Sequence, residues 1–188
     1  MSQNRLESHS GVAIDFTFNG KAYQGIAGDT LASALLANGV NVVGRSFKYA
    51  RPRGIFGHGA EEPNAIVQLG SGAGTIPNLK ATQVELYQGL QASSVNGWPS
   101  VNFDVMGLIG AFGRLMPPGF YYKTFMYPKK LWMTYEHFIR KAAGLGATPV
   151  EADPDSYDKL SQHCDVLVVG AGPAGLVAAR EAARTGAR

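Results

Sequence analysis

A glycine-rich turn near the end of the chain has the residue types and spacing of a phosphate-binding site. Residues 170–175 read Gly-Ala-Gly-Pro-Ala-Gly; they follow the apolar run Val166–Val169 and precede an alanine-rich stretch. That order is typical of a buried parallel strand, a tight turn and a helix. It predicts a dinucleotide-binding turn whose cofactor-contacting residues are Gly170, Ala171, Gly172, Pro173, Ala174 and Gly175.

The three glycines of this turn have separate physical tasks. Gly170 permits the tight turn, Gly172 lets the backbone approach a pyrophosphate, and Gly175 allows the helix to lie close to the strand. Unpaired N–H groups and the positive end of the helix dipole attract phosphates at the helix start. The strand–turn–helix context therefore favours a dinucleotide site over an ordinary glycine-rich turn.

The acidic partner of this fingerprint is not found in the sequence. An acidic residue on a second strand, about 20 residues further on, normally binds the ribose hydroxyls, but the sequence ends at Arg188. A lone parallel strand with one helix cannot cover its own apolar faces. We therefore expect an N-terminal fragment of a longer protein, and the choice between NAD and FAD stays open.

A second stretch, residues 45–54, alternates basic and aromatic side chains (RSFKYARPRG). Such alternation can bind single-stranded nucleic acid, a flavin phosphate or an acidic partner surface, and it also suits a solvated edge strand. We predict an interface with a partner subunit, and its candidate residues are Arg45, Lys48, Arg51 and Arg53.

Composition excludes several kinds of site. Seventeen basic and fourteen acidic residues leave a net charge of +3, which names no ligand, and the single cysteine, Cys164, excludes a disulfide framework and a cysteine-ligated iron–sulfur cluster. The four histidines have no metal-ligand spacing, and Glu61–Glu62 is interpreted as a solvated turn or a partner for the nearby arginines. We therefore predict no metal site and no catalytic residue.

The elements that must position these motifs begin with a hairpin. Val12, Ile14, Phe16 and Phe18 alternate with smaller or polar residues, and the turn signal Asn19-Gly20 predicts an antiparallel return over Lys21–Ile26. A helix of about nine residues should follow, because Asp29 and Thr30 are both suitable N-caps, Leu31, Ala34 and Leu35 share one face, and Gly39 can end it.

Further strands are expected at Val40–Val43, Ala65–Leu69 and Thr82–Tyr87, which gives an α+β, β-grasp-like domain. The middle of the chain predicts a helix over Leu131–Ala143, and the aromatic run near Pro117-Pro118-Gly119 and Phe120-Tyr121-Tyr122 suggests packing against another domain or chain. The predicted domains are residues 1–95 (β-grasp), 96–160 (an aromatic-rich linker or packing segment) and 161–188 (the start of an α/β Rossmann-type dinucleotide domain).

The sequence also bears on localisation. The first ten residues lack the apolar core of a secretory signal, and the longest apolar stretch, Val105–Phe112, is far short of the roughly 20 residues that span a bilayer. We predict a cytoplasmic protein without a membrane partner.

Taken together, the motifs carry a resemblance to a known family. Residues 45–54, residues 61–65 (EEPNA), the aromatic-rich middle and residues 170–175 resemble the N-terminal part of the alpha subunit of heterotetrameric sarcosine oxidase. The first two strings are specific to this family and its amine- and amino-acid-oxidising relatives, whereas many families share the glycine motif.

This resemblance implies an oxidoreductase subunit. It implies a cytoplasmic complex of alpha, beta, gamma and delta subunits that oxidatively demethylates sarcosine to glycine, hydrogen peroxide and formaldehyde or its tetrahydrofolate adduct. It implies NAD on the alpha subunit, FAD and covalent FMN mainly on the beta subunit, and FMN near the alpha–beta contact. The N-terminal domain is then a 2Fe–2S ferredoxin-like β-grasp fold without its cluster.

Other functions remain open at this stage. The chain is interpreted first as part of an oxidase subunit that contributes NAD binding and assembly and is inactive alone. The alternatives are a non-catalytic assembly module, a subunit of a related amino-acid or amine dehydrogenase complex, and a basic nucleic-acid-binding β-grasp protein. The low net charge and the lack of an accompanying RNA- or DNA-binding motif argue against nucleic acid as a partner.

Overall fold

The chain divides into two compact units, residues 1–154 and residues 155–188. The structure, a computed structural model, describes residues 11–111, 119, 127–153 and 155–188. Most of the aromatic run predicted to pack against another domain, residues 117–118 and 120–122, lies outside the described residues.

The first unit begins with the predicted hairpin. Strand β1 (Ala13–Phe18) pairs antiparallel with β2 (Lys21–Ile26), and Phe16 lies opposite Tyr23. Asn19 and Gly20 take positive φ angles of 52° and 75°, as a two-residue hairpin turn requires. Phe16 and Phe18 are buried as the alternation predicts, whereas Val12 precedes the strand and is exposed.

Helix α1 (Leu31–Ala37) follows and packs its apolar face against the sheet. Thr30 is the N-cap: its hydroxyl accepts from the Ser33 N–H at 3.2 Å, and the Ser33 hydroxyl accepts in return from the Thr30 N–H at 3.0 Å. Gly39, with φ +74°, ends the helix by donating to the Leu36 carbonyl. The predicted helix and its glycine stop are therefore confirmed.

The sheet is completed by strands that come later in the chain. Strands β3 (Gly44–Arg45) and β4 (Pro52–Arg53) form a separate two-stranded hairpin. Strands β5 (Ile66–Leu69), β6 (Ile76–Lys80) and β7 (Gln91–Ser94) join the first hairpin in one five-stranded sheet of order β2-β1-β7-β5-β6, in which β1 and β7 run parallel. With α1 against this sheet, the unit has the predicted ferredoxin-like β-grasp architecture.

Two predicted strands are wrong in detail. Residues 40–43 form no strand: the Val43 N–H donates to the Arg53 carbonyl at 2.9 Å, but the β3–β4 ladder itself begins at Gly44. Residues 82–87 alternate in burial, but residues 81–83 form a turn, and the backbone that follows bonds the start of α1: the Leu31 N–H donates to the Val84 carbonyl and the Leu86 N–H to the Asp29 carbonyl. Alternation thus indicated which side chains are buried but not the hydrogen-bond partners of the backbone.

Strands β6 and β7 were not predicted. Strand β6 contains Pro77 and lies at the sheet edge, where a proline without an N–H is tolerated. Strand β7 reads Gln-Ala-Ser-Ser, with only Ala92 buried. Neither segment has an alternating apolar pattern. Each is a strand because of its position in the tertiary structure and not because of its side-chain types.

The rest of the first unit makes hydrogen bonds with the β-grasp domain. It contains α2 (Met106–Ala111), a 3-10 turn at Lys129–Leu131 and α3 (Trp132–Ala143), which confirms the predicted helix to within one residue. After α3, the Gly146 N–H donates to Asn78 Oδ1 at 2.9 Å. No helix in the described ranges is long and apolar enough to cross a membrane.

The second unit contains helix α4 (Pro173–Arg184). The strand predicted at Val166–Val169 is not formed: within the described part of the chain these residues belong to no sheet, and Leu167 and Val169 are exposed. A strand requires neighbours for its N–H and C=O groups, whereas a helix bonds within itself. The turn and helix therefore form here without the strand.

Candidate functional site

The glycine turn at residues 170–175 has the backbone geometry that its sequence predicts. Gly170 has φ +111°, a conformation that disfavours any side chain, and Gly172 is the extended N-cap of α4. A Cβ added to Gly175 would overlap the Gly170 carbonyl oxygen, so the helix can approach the turn only through glycine. A Cβ on Gly172 would meet no atom within 4 Å.

This geometry fits a bound dinucleotide. The space beside Gly172 is open, and it lies at the start of a helix whose first N–H groups lack intrahelical partners. Pro173 occupies the first helical turn, where its missing N–H costs nothing. The residues that would hold a pyrophosphate are thus the backbone groups of the predicted set, residues 170–175.

The basic hairpin is built by β3 and β4. The Ser46 N–H donates to the Arg51 carbonyl at 2.9 Å, and the Arg51 N–H donates to the Ser46 hydroxyl at 2.9 Å. These bonds close the loop that carries Lys48 and Tyr49. Arg51 and Arg53 are exposed, and neither forms an ion pair within the described residues.

Arg45 has a different role from the other predicted interface residues. Its guanidinium donates to the carbonyls of Val101 at 2.6 Å, Ala50 at 3.0 Å and Asn102 at 3.0 Å. Asn96 holds its backbone on both sides, because Asn96 Oδ1 accepts from the Arg45 N–H and Asn96 Nδ2 donates to the Arg45 carbonyl. Arg45 therefore joins distant segments of its own chain.

Tyr49 lies beside two of the remaining cations of the hairpin, Lys48 and Arg51. The Lys48 ammonium lies 5.0 Å and the Arg51 guanidinium carbon 4.8 Å from the centre of the Tyr49 ring. Both distances are within the range of cation–π attraction. The alternation of basic and aromatic residues in the sequence thus becomes a charged cluster around one ring.

Glu62 is buried, which corrects the expectation of a solvated turn at Glu61–Glu62. Its Oε2 accepts from the Phe56 N–H at 2.7 Å and from the Gly57 N–H, and its Oε1 accepts from the N–H groups of Asn64 at 2.7 Å and Ala65 at 3.2 Å. The sequence could not show this, because the donors are backbone groups that any residue provides.

These contacts set the charge of Glu62. Burial by itself raises the pKa of the Glu62 carboxyl, but the N–H donors at residues 57, 64, 56 and 65 outweigh it and hold the pKa below its ordinary value. Glu61 is exposed, and backbone hydrogen bonds, first of all from the His58 N–H, lower its pKa as well. Both glutamates are therefore ionised at neutral pH.

The β-grasp domain does not fit an iron–sulfur cluster. Residues 11–97 contain no cysteine, and Cys164 is exposed in the other unit. Within the ranges that the structure describes, no group of three or more His, Cys, Asp or Glu side chains could hold a metal ion. The fold is that of a ferredoxin-like domain, and the cluster ligands that define such domains are missing from its sequence.

The match to a family model agrees with this class. A model of the 2Fe–2S iron–sulfur cluster binding domain matches residues 11–97. A solved structure titled L-proline dehydrogenase from P. horikoshii aligns with a TM-score of 0.41 and 24% identity, covering 55% of this chain and 19% of that one.

Curated relatives are named sarcosine oxidase subunit alpha, which confirms the predicted resemblance. The protein from Rhizobium meliloti (strain 1021) is 58% identical over 178 residues, which are 94% of this chain and 18% of the relative. Those from Corynebacterium sp. strains U-96 and P-1 are each 36% identical, over 94% and 95% of this chain and 14% of each relative. The chain thus spans less than a fifth of the length of these relatives.

Proposed function

We propose that this chain is part of the alpha subunit of a multi-subunit sarcosine oxidase, which oxidatively demethylates sarcosine to glycine, hydrogen peroxide and formaldehyde or its tetrahydrofolate adduct. The observation that carries the proposal is the 58% identity to a sarcosine oxidase alpha subunit over 94% of the chain. The chain's own contribution is dinucleotide binding and subunit assembly, in a cytoplasmic complex with beta, gamma and delta subunits.

The dinucleotide, NAD in this proposal, is held by the turn at residues 170–175. When bound, NAD supplies a nicotinamide ring that can exchange a hydride. The chain's own part is to bind the pyrophosphate: Gly172 leaves room for it, and the first N–H groups of α4 face it. In the complete subunit, Val166–Val169 then forms the first strand of a Rossmann-type sheet.

The test of this assignment is Gly172→Val in the complete oxidase complex. A valine side chain would occupy the open space where phosphate must lie, so NAD content per complex should fall by at least tenfold. The matched control is Gly74→Val, since Gly74 also has open space around it and lies in the first unit. Unchanged NAD content in the Gly172 variant would disprove the site.

The basic hairpin is proposed as a contact with the flavin-carrying beta subunit, which holds FMN and FAD. Its support is the exposed pair Arg51 and Arg53, of which Arg51 lies beside the Tyr49 ring, because arginine and aromatic side chains are enriched at interface centres. Lys48 belongs to the same cluster. Arg45 positions the hairpin through its hydrogen bonds to three backbone carbonyls.

Co-purification of the beta subunit tests this contact. Arg51→Ala combined with Arg53→Ala should lower recovery of beta with its FMN, because losing an interface hot spot often costs about 2 kcal/mol or more. Arg184→Ala is the control, since Arg184 is an exposed arginine that already pairs with Glu181 at 2.9 Å. Full recovery of beta with normal FMN in the double variant would remove the basis for the interface.

A purely structural role is the second candidate. The observation in its favour is that residues 11–97 match a cluster-binding domain but contain no cysteine. A ferredoxin-like domain without ligands can act in assembly while the flavins on a partner carry the electrons. Oxidase activity of this chain alone, measured with sarcosine, would contradict both this role and the expected inactivity of the isolated chain.

A further inference from the structure

The loop at residues 56–65 closes on a single buried side chain. Its two ends, Phe56–Gly57 and Asn64–Ala65, come together around one buried carboxylate, that of Glu62. Each carboxylate oxygen accepts from one end of the loop: Oε2 from the first pair of N–H groups and Oε1 from the second. The carboxylate therefore joins the two ends through its own two atoms.

The carboxylate has no capacity left for a metal. An ionised carboxylate offers about four acceptor sites, and in Glu62 the four backbone N–H donors use them all. A cation would have to displace these donors, which lie in partly or fully buried surroundings, and each donor left unpaired there would cost free energy. The arrangement is thus an anion bound by the protein's own backbone, in a domain that matches a family described as 2Fe–2S cluster binding.

Further contacts hold the middle of the loop. Glu61 Oε1 accepts from the N–H groups of His58 at 2.9 Å and Gly59 at 3.0 Å. The Thr82 hydroxyl donates to the Gly59 carbonyl at 2.8 Å, and Lys80 Nζ donates to the Ala60 carbonyl. These contacts fix the middle, but none of them joins the two ends.

The charged groups around the loop are few and mostly exposed. His58 and Glu61 lie on the loop itself, and Lys80 reaches it from β6. On the other side, Arg45 and Arg53 line a cavity together with Pro63 and Asn64. In the described residues none of these cations forms an ion pair with Glu62, so its charge is balanced by backbone dipoles.

We propose that the ionised Glu62 carboxylate is the anchor that orders residues 56–65 in place of a metal cluster, and that its protonation releases the loop. Glu62 is thus a positioning residue. It holds the exposed surface of the loop, which includes the Phe56 side chain at 78% exposure. Glu62 is the one side chain whose oxygens join the two ends among the described contacts of this loop.

The direction of the pH effect follows from the lowered pKa of Glu62. A carboxyl whose pKa is lower in the folded than in the unfolded state stabilises the fold above its unfolded pKa, about 4.3 for glutamate. That contribution is lost as the pH falls through the folded value. Loop order should therefore be complete at pH 7 and decline below about pH 4.

The experiment is amide hydrogen exchange on the 188-residue chain at pH 7, comparing the wild type with Glu62→Gln. A glutamine keeps one acceptor oxygen but turns an NH2 group toward the other pair of donors. One end of the loop, residues 56–57 or 64–65, should lose at least tenfold in protection while the amides of β1 keep theirs. Glu61→Gln is the matched control, and residues 56–57 and 64–65 should keep their protection in it.

Three results would overturn the proposal. They are unchanged protection at both ends in Glu62→Gln, equal loss in Glu61→Gln, and stoichiometric iron in the purified chain that is lost in Glu62→Gln. Should Glu62→Gln fail to fold, the wild type supplies the test. The protonation of Glu62, followed by carboxyl-detected NMR, and the amide exchange of residues 56, 57, 64 and 65 should change over the same pH range in acid. A different pH range for the two would disprove the anchor.

Discussion

The β-grasp region, residues 11–97, and the second unit, residues 155–188, differ in how far each buries its apolar side chains. The first buries Phe16, Leu31, Leu35 and Leu90 to 2% exposure or less. The second has no buried residue among those described, and Leu167 and Val169 are 78% and 89% exposed. One region closes its own core, whereas the other leaves these apolar side chains exposed.

The contrast shows which structures are local. The turn at residues 170–175 and helix α4 form in the second unit because glycine conformations and helical hydrogen bonds need only neighbouring residues. The Val166–Val169 strand does not form, since its partners must come from elsewhere. The turn can thus take its shape without a sheet beside it.

The largest expected difference between the regions is in hydrogen exchange of the 188-residue chain. Amides of β1 should exchange only through global unfolding, whereas those of Val166–Val169 should exchange almost freely, a difference of at least about a thousandfold. Strong protection at Val166–Val169 in a monomer would show that the second unit is complete by itself. In the complete subunit the same amides should become protected.

Truncation of one leucine in each region should show the second-largest difference between the regions. Leu35→Ala removes a fully buried helix side chain, and the free energy of unfolding should fall by about 2–5 kcal/mol. Leu176→Ala, on a helix in the second unit and 61% exposed, should change it by less than about 0.5 kcal/mol. Urea unfolding measures both, and similar losses would mean that α4 is already packed in solution.

Helix capping gives the smallest effect. Thr30→Ala removes the hydroxyl that caps α1 and should cost about 1 kcal/mol in the free energy of unfolding. Ser71→Ala is the control, because Ser71 precedes the 3-10 turn at Gly72–Gly74 and makes no side-chain capping bond. Equal effects of the two substitutions would show that the Thr30 cap adds nothing to stability.

Local patterns were the reliable part of the sequence. The β1–β2 hairpin follows from alternation and Asn19-Gly20, and α1 from Thr30 and Gly39. In each case the deciding contacts lie within a few residues. The strand predicted at Thr82–Tyr87 was wrong, since the backbone of residues 81–86 bonds the start of α1 instead of a strand.

The sequence by itself determined the glycine turn, the hairpin, helices α1, α3 and α4 and the lack of cysteine ligands, because φ preferences, periodicity and composition are properties of neighbouring residues or of residue counts. Helix α2 was not predicted. Only the tertiary structure decided that β7 lies between β1 and β5, that Arg45 reaches Val101, and that Glu62 is buried. Those features depend on backbone N–H and C=O groups that come together from distant segments. Almost every residue provides both groups, so the sequence does not show which of them will be bonded.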